Sequence, residues 1–581
     1  MSFRSGSSDT EQMFSNPQNF FEGEPAARLG VVVGGSLSKG LVIKLDAHIP
    51  VESLAVGRYI VVHGEDKRFF CMITDIVLDN TNPEIQSAPP DISDPFFQAV
   101  YMGTAAYGKI HAQPMLVIDS ESKPRPVKTI PGHFTNVMNA TVTDVNDVFG
   151  LEDENHFNVG APLELEQTQI NIDVKKLTER SVGIFGKSGT GKSFLTRLML
   201  AGIIARQKAV ALIFDMHNDY GWQVVNESRR SSKGLKQILG DLVSICTLDP
   251  ESSRKRGARP EVEIKLGYDE VDPEDLEMLR ETMGFTDAMI DAARTLKKKW
   301  GDHWLGKLID ATNDDFDEIE STSPIRSGTL AGLQRRIQRL SRWEFLVPVS
   351  AGDSAKNIIN LIERGKSVVL EFGRYGNALE AYILVANYLT RRIHEHYVDK
   401  VEQALGDHSM EPEQLLIVIE EAHKFLDPRI ASQTIFGIIA RELRKYKVTL
   451  MIVDQRPSGI DEEVMSQIGT RITALLDNER DIAAVLTGIS GAGGLREVLA
   501  RLDTKQQAII MGHAVPMPVV VKTRTYDEAF YTAIQGELAG TPIYNQGNKN
   551  GGDGSSGGKA GGSSAAPKEL RLGSGKDRRI R

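Results

Sequence analysis

Triphosphate chemistry is implied by one segment, Val182-Gly183-Ile184-Phe185-Gly186-Lys187-Ser188-Gly189-Thr190-Gly191-Lys192-Ser193. A short apolar run enters the loop Gly-x-x-x-x-Gly-Lys-Ser, and Phe194 to Leu200 continues it as a helix. In such a loop the glycines let backbone N–H groups converge on a β-phosphate, and the helix adds the positive end of its dipole. Lys192 would reach the β- and γ-phosphates, and the Ser193 hydroxyl suits Mg²⁺. Gly186, Ser188, Gly189, Thr190, Gly191, Lys192 and Ser193 are therefore the candidate nucleotide-binding residues.

Hydrolysis needs carboxylates beside that loop. Leu415-Leu416-Ile417-Val418-Ile419-Glu420-Glu421-Ala422-His423 is an apolar strand ending in two of them. Glu420 stands where a Mg²⁺-organising acid belongs, and Glu421 where a base polarises the attacking water. Met451-Ile452-Val453-Asp454-Gln455-Arg456 is a second such strand end, and Gln455 is the candidate γ-phosphate sensor. Arg456 reads equally as a phosphate ligand or a surface ion pair. Asp215 and Asp219 end a third strand, as support for water or metal or as an ordinary Asx turn. His217 between them reads as a structural hydrogen-bonder. Arg441 and Arg444 close a helix, either as arginines acting across a subunit boundary or as cations complementing the helix dipole. Asn478-Glu479-Arg480-Asp481 lacks the lysine of a guanine-reading motif, which argues against GTP specificity.

The elements that must position these groups change in texture along the 581 residues. Residues 1–25 are polar and read as disordered. Residues 26–165 carry short β-like runs such as Arg28–Val33, Leu41–Leu45, Tyr59–Val62 and Phe69–Ile73, the pattern of a small barrel. Residues 166–250 and 350–535 alternate apolar strands with helices, as a mainly parallel sheet covered on both faces does. Expected strands there are Ala209–Phe214, Ser367–Glu371, Leu415–Ile419, Val448–Val453, Ile472–Leu476, Gln507–Met511 and Val519–Lys522. The alternation lapses over 251–349, read as an all-helical insertion starting at Asp272-Pro273-Glu274-Asp275. Residues 536–581 read as a flexible Gly/Ser-rich tail with a basic end.

Net charge is −10, so binding to a polyanion requires a local basic surface. Candidates are Arg254-Lys255-Arg256 with Arg259, Lys297-Lys298-Lys299, and Arg335, Arg336, Arg339 and Arg342; each is also readable as a solvated face. The two cysteines, Cys71 and Cys246, are too far apart in sequence to suggest a disulfide framework or zinc site. No apolar run is long enough to span a bilayer and no secretion signal is visible, so a cytoplasmic protein without membrane attachment is expected.

Taken together, the motifs resemble the HerA ATPases. The run Val453-Asp454-Gln455-Arg456-Pro457-Ser458-Gly459-Ile460-Asp461 with Ser466-Gln467-Ile468-Gly469-Thr470 is typical of that family, and the P-loop, the Ile-Glu-Glu-Ala-His run and the Arg-Glu-x-x-Arg-Lys helix agree in type and order. The likeness extends from about Ala27 to Ala529. It implies an α/β fold: a RecA-like P-loop ATPase core of the HerA/FtsK class, with an N-terminal small β-barrel and a helical insertion. It further implies ATP and Mg²⁺ as cofactors and a homo-hexameric ring translocating double-stranded DNA. Arg444, and then Arg441, would act in trans, and the barrel would dock a partner, either a NurA-like nuclease or a sirtuin-like NADase. The rival expectation is an ATP-gated scaffold that positions such an effector, with translocation secondary. Two positions differ from the family's usual pattern. Asp454 stands where Thr or Ser is commoner, and Lys445-Tyr446-Lys447 replaces Lys-Phe-Gly.

Overall fold

The computed structural model describes residues 27–540, apart from 88, 90, 92, 103, 120–123, 164, 226–230, 351, 433, 443–444, 490–491 and 505. Residues 1–25, most of the 536–581 tail, and Arg444 therefore lie outside the described residues.

The first seven strands are β1 (Arg28–Ser36), β2 (Gly40–Leu45), β3 (Tyr59–His63), β4 (Arg68–Asn80), β5 (Ala106–Ile118), β6 (Pro124–Pro126) and β7 (Asn136–Asn139). They run in the order β2-β1-β7-β3-β4-β5-β6, and β2 also pairs with β5, closing six of them into a barrel. Leu29, Val32, Ile43, Ile60, Val62, Cys71, Ile73 and Ile110 fill its interior. The opposite faces of β3 and β4, carrying Tyr59, Val61, Phe70 and Met72, pack into the main core of the molecule. This wall is buried on both sides, which explains its continuous apolar sequence rather than an alternating one.

The main sheet takes β8 (His156–Pro162), β9 (Ile170–Asp173), β10 (Val182–Phe185) and β11 (Val210–Asp215). A small hairpin, β12 (Val224–Val225) and β13 (Ser231–Ser232), precedes β14 (Val243–Thr247) and β15 (Val262–Glu263). A short pair, β16 (Leu266–Gly267) with β17 (Leu346–Val347), brackets the inserted helices. Then follow β18 (Ser367–Glu371), β19 (Leu415–Glu420), β20 (Val448–Asp454), β21 (Thr470–Thr473), β22 (Gln507–Gly512) and β23 (Val519–Thr523). The order is β15-β14-β18-β11-β19-β20-β10-β21-β22-β23-β8-β9. Pairing is parallel from β15 to β21 and antiparallel from β21 to β9. Every residue of β11, β18, β19 and β20 is buried, as helices on both faces of a parallel sheet require.

Several boundaries differ from the sequence expectation. β8 falls within the stretch assigned to the barrel but pairs with β23 of the main sheet. Its turn-bounded, half-apolar text cannot reveal which sheet it joins. The 251–349 region is not all-helical, because β15 extends the main sheet beside β14 and β16 meets β17; two-residue strands leave no periodicity to read. Its helices include Asp287–Trp300, Asn313–Thr322 and Ser327–Leu340. Asp272 caps the expected helix start as one half of a capping box with Asp275, and Arg391 on the helix Leu379–Ala404 binds both acids at 2.8 and 2.9 Å. The helix Glu528–Leu538 runs past the expected start of the tail. β21 begins two residues before the expected strand, at Thr470 rather than Ile472. Both cysteines are free and buried.

Barrel and sheet meet at a buried hydrogen bond, in which the Val520 N–H of β23 donates to the Tyr59 hydroxyl at 2.9 Å. Tyr59→Phe strands that N–H in a dry seam, so chemical denaturation should read a loss of about 1–3 kcal/mol.

Candidate active site

β20 lies between β10, which feeds the loop, and β19, which ends in the paired acids. Register sets Phe185 beside Asp454 and Glu420 beside Val453. The three strand ends therefore share one edge of the sheet, the edge at which open parallel sheets bind ligands.

The loop folds around a single acceptor, the Lys187 carbonyl. It receives the Thr190 hydroxyl at 2.8 Å and the Lys192 ammonium at 3.0 Å, while the Lys187 ammonium pairs with Asp477 at 3.0 Å. Gly186 has φ 155°, and a Cβ there would lie 2.8 Å from Thr190 Oγ1 and 2.9 Å from Ala474 Cβ. At Gly189 and Gly191, with φ 80° and 88°, a Cβ would meet nothing within 4 Å. Backbone at these two positions is open to a close ligand. Ser188 is exposed, and Ser193 lies in the first turn of the helix Lys192–Ala205.

Glu420 is 6% exposed. Its Oε1 accepts the Tyr220 hydroxyl at 2.9 Å, whereas its Oε2 is buried without a hydrogen-bond partner. Burial pushes its carboxyl up to about 7, the Tyr220 hydrogen bond opposing and the charges of Asp219 and Glu421 adding to it. Asp215, fully buried, accepts N–H groups of Asp219 at 2.6 Å, Tyr220 at 2.8 Å and Gly221 at 3.3 Å. It too is pushed up to about 7, first by burial and then by the charges of Glu420 and Glu371. Asp215 thus organises the turn that presents Tyr220, and the Asx-turn reading describes it better than a direct ligand role.

Glu421 has φ 50° and ψ 45°, left-handed for a residue with a side chain, a conformation costing about 1–2 kcal/mol. Gln455 Nε2 donates to its Oε1 at 2.8 Å, and His423 Nδ1 lies 3.6 Å from its Oε2. Lys192 feels all of this: desolvation lowers its pKa, and the charges of Glu421, Asp454 and Glu420 oppose the shift.

Other candidates lie elsewhere. Arg456 is exposed and forms no ion pair among the described residues. His217, between Asp215 and Asp219, is exposed. Arg441 is held within its own chain by Glu463 at 2.9 Å and by the Ala431 carbonyl at 3.2 Å. Asn478 caps the helix Glu479–Leu486. Arg256 belongs to a buried cluster with Glu371 and Asn218, which removes it from the exposed basic patches. Lys297 pairs with Asp272 and Asp302, both at 2.8 Å.

Residue-type reasoning passed over Tyr220, Tyr382, Arg197 and the Asp454–His423 pair. Arg197, one helical turn beyond Ser193, is 2% exposed, stacks over Phe194 and Tyr526, and has Nε and Nη1 unpartnered. Its charge draws the Glu420 carboxyl down. A buried arginine in an otherwise apolar helix, Phe194 to Leu200, was the available signal.

The donor set fits a nucleotide with a divalent cation: an unpaired buried carboxylate oxygen, a hydroxyl, an ammonium and open loop backbone. Fold and site together define a P-loop ATP hydrolase with a RecA-like core. The family model described as "Helicase HerA, central domain" matches residues 157–393. The DNA double-strand break repair helicase HerA of Saccharolobus solfataricus is 32% identical over 370 residues, 61% of this chain and 67% of that protein. Its namesake from Sulfurisphaera tokodaii is 24% identical over 526 residues, covering 88% and 94%. The chain belongs to the HerA family. Among solved structures, VirB4 of Thermoanaerobacter pseudethanolicus overlaps 66% of this chain and 99% of its own at 14% identity and a TM-score of 0.43, too loose a likeness to argue from. No helix among the described residues is long and apolar enough to cross a membrane.

The raised carboxyls have a consequence for stability. Asp215 and Glu420 hold protons more tightly folded than unfolded, so their contribution is full below their ordinary values of 3.8 and 4.5 and is lost as pH rises through about 7. Melting temperature of the nucleotide-free protein should fall between pH 5 and pH 8, and Glu420→Gln should flatten that slope in a calorimetric series.

Proposed function

We propose that this chain is a Mg²⁺-dependent ATPase that assembles as a homo-hexameric ring and translocates on double-stranded DNA. The observation that carries the catalytic part is the convergence of Lys192, Glu420, Glu421 and Gln455 on one sheet edge, with Gln455 bonded to Glu421 at 2.8 Å. Gly186, Ser188, Gly189, Thr190, Gly191 and Lys192 bind the phosphates, and Ser193 with the free oxygen of Glu420 would hold Mg²⁺. The ion supplies charge neutralisation on the β- and γ-phosphates. Glu421 orients the attacking water and withdraws its proton, Lys192 offsets charge developing on the γ-phosphate, and Gln455 senses that phosphate through its bond to Glu421.

Arg441 and Arg444 are the arginines proposed to act from a neighbouring subunit. For Arg441 this requires exchanging Glu463 for phosphate, since that pair occupies it within its own chain. Lys298, Lys299, Arg335, Arg339 and Arg342 are exposed, and they are the basic residues available for a DNA backbone. The DNA reading draws on the HerA helicases named above.

A second reading, an ATP-gated scaffold for a nuclease or NADase effector, is favoured by the excursion between β4 and β5. Phe96, Phe97 and Met102 are 68, 49 and 46% exposed there, and Leu78 near the end of β4 is 76% exposed, exposed apolar side chains of the kind that a docking site gathers. Both readings keep the same ATP chemistry.

Lys192→Ala should abolish nucleotide binding or turnover, whereas Glu421→Gln should bind ATP and lose about 100-fold or more in kcat. Full turnover in purified Glu421→Gln protein would remove the base assignment. Duplex DNA should raise the ATPase rate, with stimulation falling steeply as salt increases. A rate indifferent to DNA but raised by a copurifying partner would favour the scaffold.

A further inference from the structure

Glu421 is the strained residue of this site, and a non-glycine residue in that conformation persists only where its surroundings over-determine it. Two clamps do so. Upstream, the Tyr382 hydroxyl accepts the Glu420 N–H at 3.0 Å and donates to the Glu420 carbonyl at 3.1 Å. Downstream, Asp454 accepts the His423 N–H at 2.7 Å and the His423 ring Nδ1 at 3.0 Å. Its other oxygen accepts the Arg456 N–H at 2.7 Å. Asp454 is 1% exposed and adjoins Gln455, which bonds the first oxygen of Glu421, while the imidazole it holds faces the second.

We propose that Asp454, acting through His423, is a positioning residue for Glu421. It fixes the left-handed turn from the far side and aligns the imidazole against the Glu421 carboxylate, so that this carboxylate faces one direction. Only a two-oxygen acceptor fills the role. A single hydroxyl, with two lone pairs, cannot receive the His423 N–H, its ring and the Arg456 N–H at once. The inference rests on the reading of Glu421 as base.

The test uses full-length protein and steady-state ATPase kinetics. Asp454→Asn keeps the shape and removes the charge and one acceptor; His423→Gln keeps a donor and removes the ring. Asp454→Asn should lower kcat about 10- to 100-fold, the scale of a misplaced catalytic group, with KM for ATP held within about twofold and the melting temperature little changed. In a Glu421→Gln background Asp454→Asn should cause no further loss, because both act through one carboxylate. Asp454→Thr supplies a second variant if the asparagine protein does not fold. Unchanged kcat in the Asp454 and His423 variants overturns the proposal. So does a parallel fall of kcat, affinity and melting temperature, which marks a structural role alone, or an undiminished further loss in the double variant. If Glu421→Gln itself turns over normally, it is the base reading that has failed.

Discussion

An acid kept from water with one oxygen unpaired is expensive to hold, and the candidate catalytic edge is organised around that cost at Glu420. Desolvation dominates its protonation, and among the described residues nothing hydrogen-bonds its second oxygen. The neighbouring elements limit the penalty without cancelling it. Tyr220 satisfies one oxygen, Tyr382 ties down the backbone on either side, and Arg197 contributes positive potential from the helix that follows the loop. On the proposed reading, a hard cation bound there would remove the unpaired state rather than compete with an existing partner.

The same economy appears at the neighbouring strand. β20 contributes nothing to the phosphate loop, yet its end reaches the candidate catalytic groups: Asp454 holds the turn after Glu421 and its charge acts on Lys192, and Gln455, just past the strand, bonds the Glu421 carboxylate. A strand placed between the nucleotide loop and the acids can report on both, which is the arrangement expected where hydrolysis must be coupled to mechanical change.

Much of this was legible in the text. The long apolar strands of the main sheet could be read because a strand buried on both faces leaves an uninterrupted hydrophobic run, and Leu415–Glu420 and Val448–Asp454 are of that kind. The placement of the candidate side chains at strand ends followed from the same pattern. What escaped was whatever depends on partners remote in sequence. Nothing in Tyr220 announces that it bonds a carboxylate two hundred residues on, and nothing in Asp454 announces its hold on His423. β15 to β17 were missed for a different reason, as two residues carry no period, and β8 because alternation reveals a strand but not the sheet that receives it.

β8 and β9 precede the phosphate loop, while their neighbour β23 comes near the end of the described chain, so Pro162 waits for Val521. During ribosomal synthesis the early pair emerges with one backbone edge unmated, and it stays so until the whole catalytic region has followed. Such late, long-range zippering slows acquisition of the native topology and leaves a nascent edge available to wrong pairings. Production of this protein is thus expected to lean on whatever shields unfinished sheets.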